Sequence, residues 1–366
     1  MSRKLITIST IMTLMSTSVI ADVPNVAADI APIHSLVSRV MDGVGAPKLI
    51  VQSGASPHGY RLRPSEAKAL QDADHVFWMG EELTPWLDSA IDTLATKASV
   101  TTLLDQEGII LHDFREGALF EAHDHSAHGD DDHDDDKGHK DHDDHDDHDD
   151  HKDHDDHDDH KDHDDHDDHD DHDDHKDHDD HDDHDDHDDH DDHKDHGSHD
   201  PHAWLSPENA KLWLNIIASK LSVSDPENAA TYFMNAAAGQ AEIEAMIAEV
   251  KATLKPVQGG KFVVFHDAYQ YFENDFDFYA SGAISLGDSS DPSPARIEKV
   301  QKRIRDEGIQ CVLAEPQFKK GLVATVMEGS DATASVIDPL GAELETGPKL
   351  YTRLIKNMAK TLRNCL

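Results

Sequence analysis

Cysteine is nearly absent, with 2 in 366 residues, and aromatic residues make up only 5% of the chain. That excludes a small disulfide-stapled scaffold. Basic residues are also scarce: 32 Lys+Arg stand against 77 Asp+Glu, for a formal net charge of -45. Nucleic acid and anionic membrane both need clustered Lys and Arg to neutralise phosphate, so neither is expected as a partner. Cations are the natural ligands of such a chain. Long hydrophobic runs are missing too. No stretch approaches 18 uninterrupted apolar residues, so no membrane insertion is expected.

What is present begins with a leader. Arg3 and Lys4 precede a mostly uncharged run from Leu5 to Ile20 that ends in Val19-Ile20-Ala21. This pattern predicts a secretory signal peptide over residues 1–21, cut near Ala21, and therefore export. In an exported chain with only Cys311 and Cys365, one disulfide is the economical expectation. Closing that loop is worth about 4 kcal/mol in the chain-entropy model.

Residues 121–200 hold 41 Asp, 1 Glu, 6 Lys and 25 of the 31 His, so this tract carries -36 of the net charge. From His142 onward it repeats Asp-Asp-His. A period of three offers no apolar face to bury, and like charges repel, which predicts disorder. Solubility needs the aspartates but not a nitrogen donor at every third position. Neutral imidazole binds zinc, copper and nickel well, so many weak, exchangeable metal sites are expected among His123 to His199. Protons compete for those nitrogens, and binding should weaken as pH falls.

Elsewhere short β-rich runs alternate with helical spacing, the signature of parallel sheets covered by helices. Strands are expected at Val26 to Ile30, Leu49 to Gln52, His75 to Trp78 and Val100 to Leu103, with helices at Ile33 to Met41, Ser65 to Ala73 and Glu81 to Leu94. After the tract, Ser206-Pro207-Glu208 opens a helix to about Leu221. A run rich in Ala, Glu, Met and Gln follows to about Leu254, long enough to span about 45 Å as one helix. A second alternation then places strands at Lys261 to Phe265, Phe278 to Ile284, Gln310 to Ala314 and Ser335 to Ile337. Its helices are expected near Ala268 to Asn274, Pro294 to Glu307, Phe318 to Glu328 and Lys349 to Leu362. The expected fold class is α/β: a first lobe from residues 22–120 and 201–224, a linking helix over 225–255, and a second lobe over 256–366.

Six histidines lie outside the tract: His34, His58, His75, His112, His202 and His266. His58 sits in a turn-rich segment after the second strand, His202 just before a helix, and His266 at the C-terminal end of a strand. Ligands of α/β sheets bind at that edge. Asp338, in Val336-Ile337-Asp338-Pro339, holds a similar place in the second lobe. Three imidazoles with a carboxylate or water form a tetrahedral set suited to zinc, whereas manganese prefers more oxygen donors. His75, inside a strand, and His112, after Ile109-Ile110-Leu111, read as structural; His34, one turn into the first helix, is open between the two roles.

Gly54-Ala55-Ser56-Pro57-His58, Asp200-Pro201-His202-Ala203-Trp204-Leu205-Ser206-Pro207, Phe265-His266-Asp267-Ala268-Tyr269 and Ala314-Glu315-Pro316-Gln317-Phe318 together resemble the periplasmic zinc-binding subunit of bacterial high-affinity zinc ABC importers. The likeness runs from about Val23 to Cys365 and includes a histidine-rich acidic insert ahead of the second ligand histidine. It implies two α/β lobes joined by a rigid helix, zinc held by His58, His202 and His266, a Cys311–Cys365 disulfide, and an inner-membrane ABC permease as partner of a monomeric protein. Some members place a glutamate directly before the first ligand histidine; here that residue is Pro57, which has no donor. The fourth position then falls to water or to Asp338.

Three functions compete at this stage. In the first, the tract collects zinc and the cleft holds it for a permease, with no bond made or broken. In the second, the chain is a zinc hydrolase, but the folded part contains neither His-Glu-x-x-His nor His-x-His, leaving only Asp267 or Glu315 as strained choices of general base. In the third, a periplasmic metal buffer or nickel-binding protein acts mainly through the tract.

Overall fold

The computed structural model describes residues 23–115, 120, 199–285, 292–317 and 320–366. The expected signal peptide and all of the tract before His199 lie outside the described residues.

The first sheet contains β1 (Val26–Ala28), β2 (Lys48–Leu49), β3 (His75–Trp78) and β4 (Ser99–Thr102) in the order β2-β1-β3-β4. The second contains β5 (Phe262–His266), β6 (Ala283–Ser285), β7 (Cys311–Ala314) and β8 (Thr333–Val336) in the order β6-β5-β7-β8. Every pairing is parallel, and the two sheets repeat one topology. Helices α1 (Ala31–Val40), α2 (Pro64–Gln71) and α3 (Pro85–Leu94) serve the first sheet, with α4 (Pro207–Ser224) returning after the tract. Helices α6 (Gln270–Phe276), α7 (Pro294–Glu307), α8 (Lys320–Met327) and α9 (Leu350–Cys365) serve the second. Between the lobes runs α5 (Ala229–Leu254), 26 residues and so about 39 Å long.

Local chemistry explains several boundaries. Ser206 caps α4 by accepting from Asn209 N at 3.3 Å, with Pro207 at the first helical position and Glu208 in the first turn. Ser293 caps α7 in the same way, and Gly308 at φ 65° ends it. The helix expected from Glu81 begins only at Pro85, because Gly80 and Thr84 form a tight turn and the residue before proline disfavours helical backbone. The strand expected from Phe278 shrinks to Ala283–Ser285. Asp277, left-handed at φ 52°, ends α6, and Phe278 turns inward to stack on Phe262 at 5.4 Å instead of joining the ladder.

The inner strands are buried on both faces, and successive side chains join different apolar clusters because they point to opposite sides of the sheet. Val26 and Ala28 join one apolar cluster while Ala27 joins another; Phe262 and Val264 face that first cluster while Val263 faces a third. The shared cluster runs through both lobes, and α5 contributes Tyr232, Ala236, Ile243, Met246, Val250 and Leu254 to it. Arg39 on α1 pairs with Glu242 at 3.1 Å, and Lys356 on α9 pairs with Glu249 at 2.6 Å. Gly239 lies where α5 crosses its neighbours: a Cβ there would come within 2.9 Å of Leu214 and 3.1 Å of Arg39. The linking helix is thus packed into both halves rather than free to hinge. The Cys311–Cys365 disulfide ties the start of β7 to the end of α9.

Candidate metal centre

His266 is the last residue of β5. The β5–β7 register pairs Phe262 with Cys311 and Val264 with Leu313, an offset that carried forward sets His266 beside Glu315. There His266 Nδ1 lies 2.5 Å from Glu315 Oε1, both side chains almost fully buried. Gln317 Nε2 donates to the other carboxylate oxygen at 2.8 Å.

His202 is fixed by its own short loop. Asp200 Oδ1 accepts from His202 N at 3.0 Å and lies 2.6 Å from its Nδ1. Trp204 packs on the ring at 5.2 Å and donates through Nε1 to Pro339 O at 2.8 Å. His58 sits at the tip of a turn whose Gly54 has φ 84°. Proline at 57 restricts the backbone there, and its carbonyl accepts from Trp86 Nε1 at 2.7 Å.

The three rings converge. The His58 and His202 centroids are 5.5 Å apart, those of His202 and His266 5.2 Å. One ligand atom from each of the three lies within 4.8 Å of the others. His202 Nε2 and His266 Nε2 are 3.4 Å apart. With each Nδ1 set against a carboxylate, the two Nε2 atoms face one another, a geometry that suits a cation between them. Two nitrogens at about 2.05 Å on a tetrahedral zinc are separated by about 3.3 Å, close to the spacing found.

Asp338 is not in this group. Its carboxylate accepts from Leu340 N, Gly341 N and Ala342 N at 3.0, 2.8 and 2.6 Å, which folds the loop that receives Trp204. Its work in this structure is to shape the wall beside His202. His34 bonds Pro47 O at 3.2 Å and Ser38 Oγ at 3.4 Å, and burial pushes its pKa down. His75 meets Ser224 Oγ at 2.6 Å, and burial lowers it as well. His112 meets Asn274 at 3.1 Å. Of the expected weak sites in the tract, only His199 is described, with Nδ1 3.0 Å from Asp113 Oδ1.

Sequence reasoning missed the two orienting carboxylates, Asp200 and Glu315, as well as Arg115. An acid two residues before a candidate ligand histidine is a readable signal for Asp200. Glu315 becomes visible only when two strands are placed in register. Arg115 donates to both Asp267 and Glu273, which are 6% and 1% exposed. Burial opposes the guanidinium charge, but the bonds to Asp267 and Glu273 outweigh it and raise the Arg115 pKa. Burial pushes Asp267 up against the lowering pull of Arg115, and lifts Glu273 to about 7.

Known proteins share this arrangement of sequence. The chain is 46% identical over 341 residues to a Brucella abortus (strain 2308) protein named high-affinity zinc uptake system protein ZnuA, covering 93% of this chain and 91% of that one. A protein of the same name from Paracoccus denitrificans (strain Pd 1222) is 41% identical over 347 residues, covering 94% and 93%. A solved ZnuA structure shares the fold at a TM-score of 0.64 and 17% identity, over 94% of this chain and 99% of that one. The family model of ZnuA, zinc-uptake complex component A, periplasmic, matches residues 26–365, and the chain belongs to that family.

Proposed function

We propose that this protein captures zinc with high affinity in the periplasm and delivers it to an inner-membrane ABC permease, with the His/Asp-rich tract collecting or buffering the ion. The observation that carries the reading is the convergence of His58, His202 and His266, two of them oriented through Nδ1 by buried carboxylates. A protein acting through its tract alone has no need of a histidine triad with two buried, preoriented members. Three nitrogen donors favour zinc over manganese. The fourth position is water or Asp338, since Pro57 offers no donor and the Asp338 Oδ2 accepts from one amide only among the described residues, which leaves it a lone pair. The zinc is cargo, so no bond is made or broken and the chain is a carrier rather than a catalyst.

Export follows from the leader ending near Ala21, and no helix among the described residues is long and apolar enough to cross a membrane. The chain is read as a monomer whose two lobes dock on the permease. With α5 packed into both lobes, release requires small lobe movements rather than a wide hinge swing. Calorimetry tests the reading. The chain lacking residues 123–196 should bind one zinc tightly, and replacing His58, His202 and His266 together by alanine should remove that step while leaving weak binding in the full chain. Retention of a tight one-to-one step in the triple variant would sink the assignment.

A further inference from the structure

The two ends of the acidic tract meet at a short paired stem. Asp113 and His199 form an antiparallel bridge, and Asp200 N donates to His112 O at 2.7 Å. Tyr271 on α6 holds both sides of the stem, since its hydroxyl accepts from His112 N at 3.1 Å and donates to Asp200 O at 2.7 Å. Two residues beyond Asp113, Arg115 crosses to the second lobe. Its Nε and Nη2 donate to the Asp267 carboxylate, its Nη1 to Glu273 Oε2 at 2.6 Å, and its guanidinium lies 3.6 Å from the Phe120 ring centroid. Asp267 directly follows the ligand His266, and Asp200 orients the ligand His202. One stem therefore contains the carboxylate that orients one ligand and grips the residue next in sequence to another in the other lobe.

We propose that Arg115 is a positioning residue for zinc: by clasping Asp267 and Glu273 it locks the stem onto the second lobe, keeps His266 set against His202, and slows release of the ion. This rests on reading the triad as the zinc-capture site. The geometry requires arginine in particular. A planar fork engages two carboxylates at once, whereas a lysine is a point charge that satisfies one of them fully. Without the guanidinium, two buried carboxylates repel each other and the stem detaches at its edge. Local opening there exposes the side of the cleft where His202 and His266 face one another, and opening of that kind sets a dissociation rate.

The test uses the full chain loaded with half an equivalent of zinc, so that the tight site fills before the tract. Release into excess chromophoric chelator is timed for the parent, Arg115→Lys, Arg115→Gln, and the combined Arg115→Gln, Asp267→Asn, Glu273→Gln, in which no buried charge is orphaned. Cobalt absorption spectra of the same proteins report ligand geometry. Release should accelerate about 10- to 100-fold in both neutral variants, the range seen when an outer partner of a metal ligand is lost. Arg115→Lys should fall between them and the parent, and the cobalt bands of the neutral variants should shift. A folded combined variant with parental release and parental cobalt bands overturns the clasp. Should both neutral variants fail to fold, parental release in Arg115→Lys overturns it instead. A parent chain lacking a tight one-to-one zinc step overturns the zinc-capture reading and the clasp together, whereas a tight parent with indifferent variants overturns the clasp alone.

Discussion

Replacing Glu315 by glutamine isolates the effect of one buried charge on metal affinity. Glu315 is 2% exposed, and its Oε1 lies 2.5 Å from His266 Nδ1 while Oε2 accepts from Gln317 at 2.8 Å. A carboxylate offers acceptors to both neighbours, but an amide offers one oxygen and one NH2. Either the amide oxygen faces His266 as a neutral acceptor while Gln317 turns its own oxygen to the new NH2, or the NH2 faces Nδ1 and forces the proton to Nε2, where it blocks the metal. A charge-assisted hydrogen bond exceeds a neutral one by about 1–2 kcal/mol, and loss of such partners weakens metal affinity about 10- to 100-fold. Those figures agree, because tenfold corresponds to about 1.4 kcal/mol. The assay is competition with a chromophoric zinc chelator below one equivalent of metal, in the full chain and in the chain lacking residues 123–196. An affinity for Glu315→Gln within twofold of the parent, under conditions where His266→Ala abolishes tight binding, refutes the claim that this carboxylate prepares the ligand.

Two further outcomes follow from the fold. Asp29, fully buried at the end of β1, has its pKa pushed up to about 7 by burial, against bonds from Ile30 N and Met79 N that pull it down. A carboxyl raised in the folded state favours folding most when protonated, so its contribution declines as pH rises from about 4 to about 7 and then levels off. The stability of the parent minus that of Asp29→Asn, measured by urea unfolding from pH 4 to 8, should fall across that window; a flat difference would show that Asp29 stays ionised throughout. Replacing Cys311 and Cys365 by serine should cost up to about 4 kcal/mol of stability. Zinc affinity should stay unchanged, because Cys311 opens β7 whereas Glu315 follows its far end. A parallel drop in affinity in the still-folded variant would mean that the two ends of the strand are coupled.

The sequence by itself determined the α/β class, most element positions, the three histidines and the cysteine pair. These features were readable because they are local: alternation of period two, helix starts at Ser206-Pro207 and Pro294, and histidines placed in turns or at a strand end leave their signal within a few residues. Tertiary structure alone decided which carboxylates serve those histidines. Glu315 reaches His266 across 49 residues through strand register, and Arg115 reaches Asp267 across 152 through the docking of the stem on α6. Asp338 shows the same limit from the other side. Its strand-end position suggests a ligand, but three amides of its own loop set where its carboxylate points, and only a folded backbone brings those amides to it. Hydrogen-bond competition of that kind depends on distances of a few tenths of an ångström, which packing of the whole molecule sets and composition or spacing does not encode.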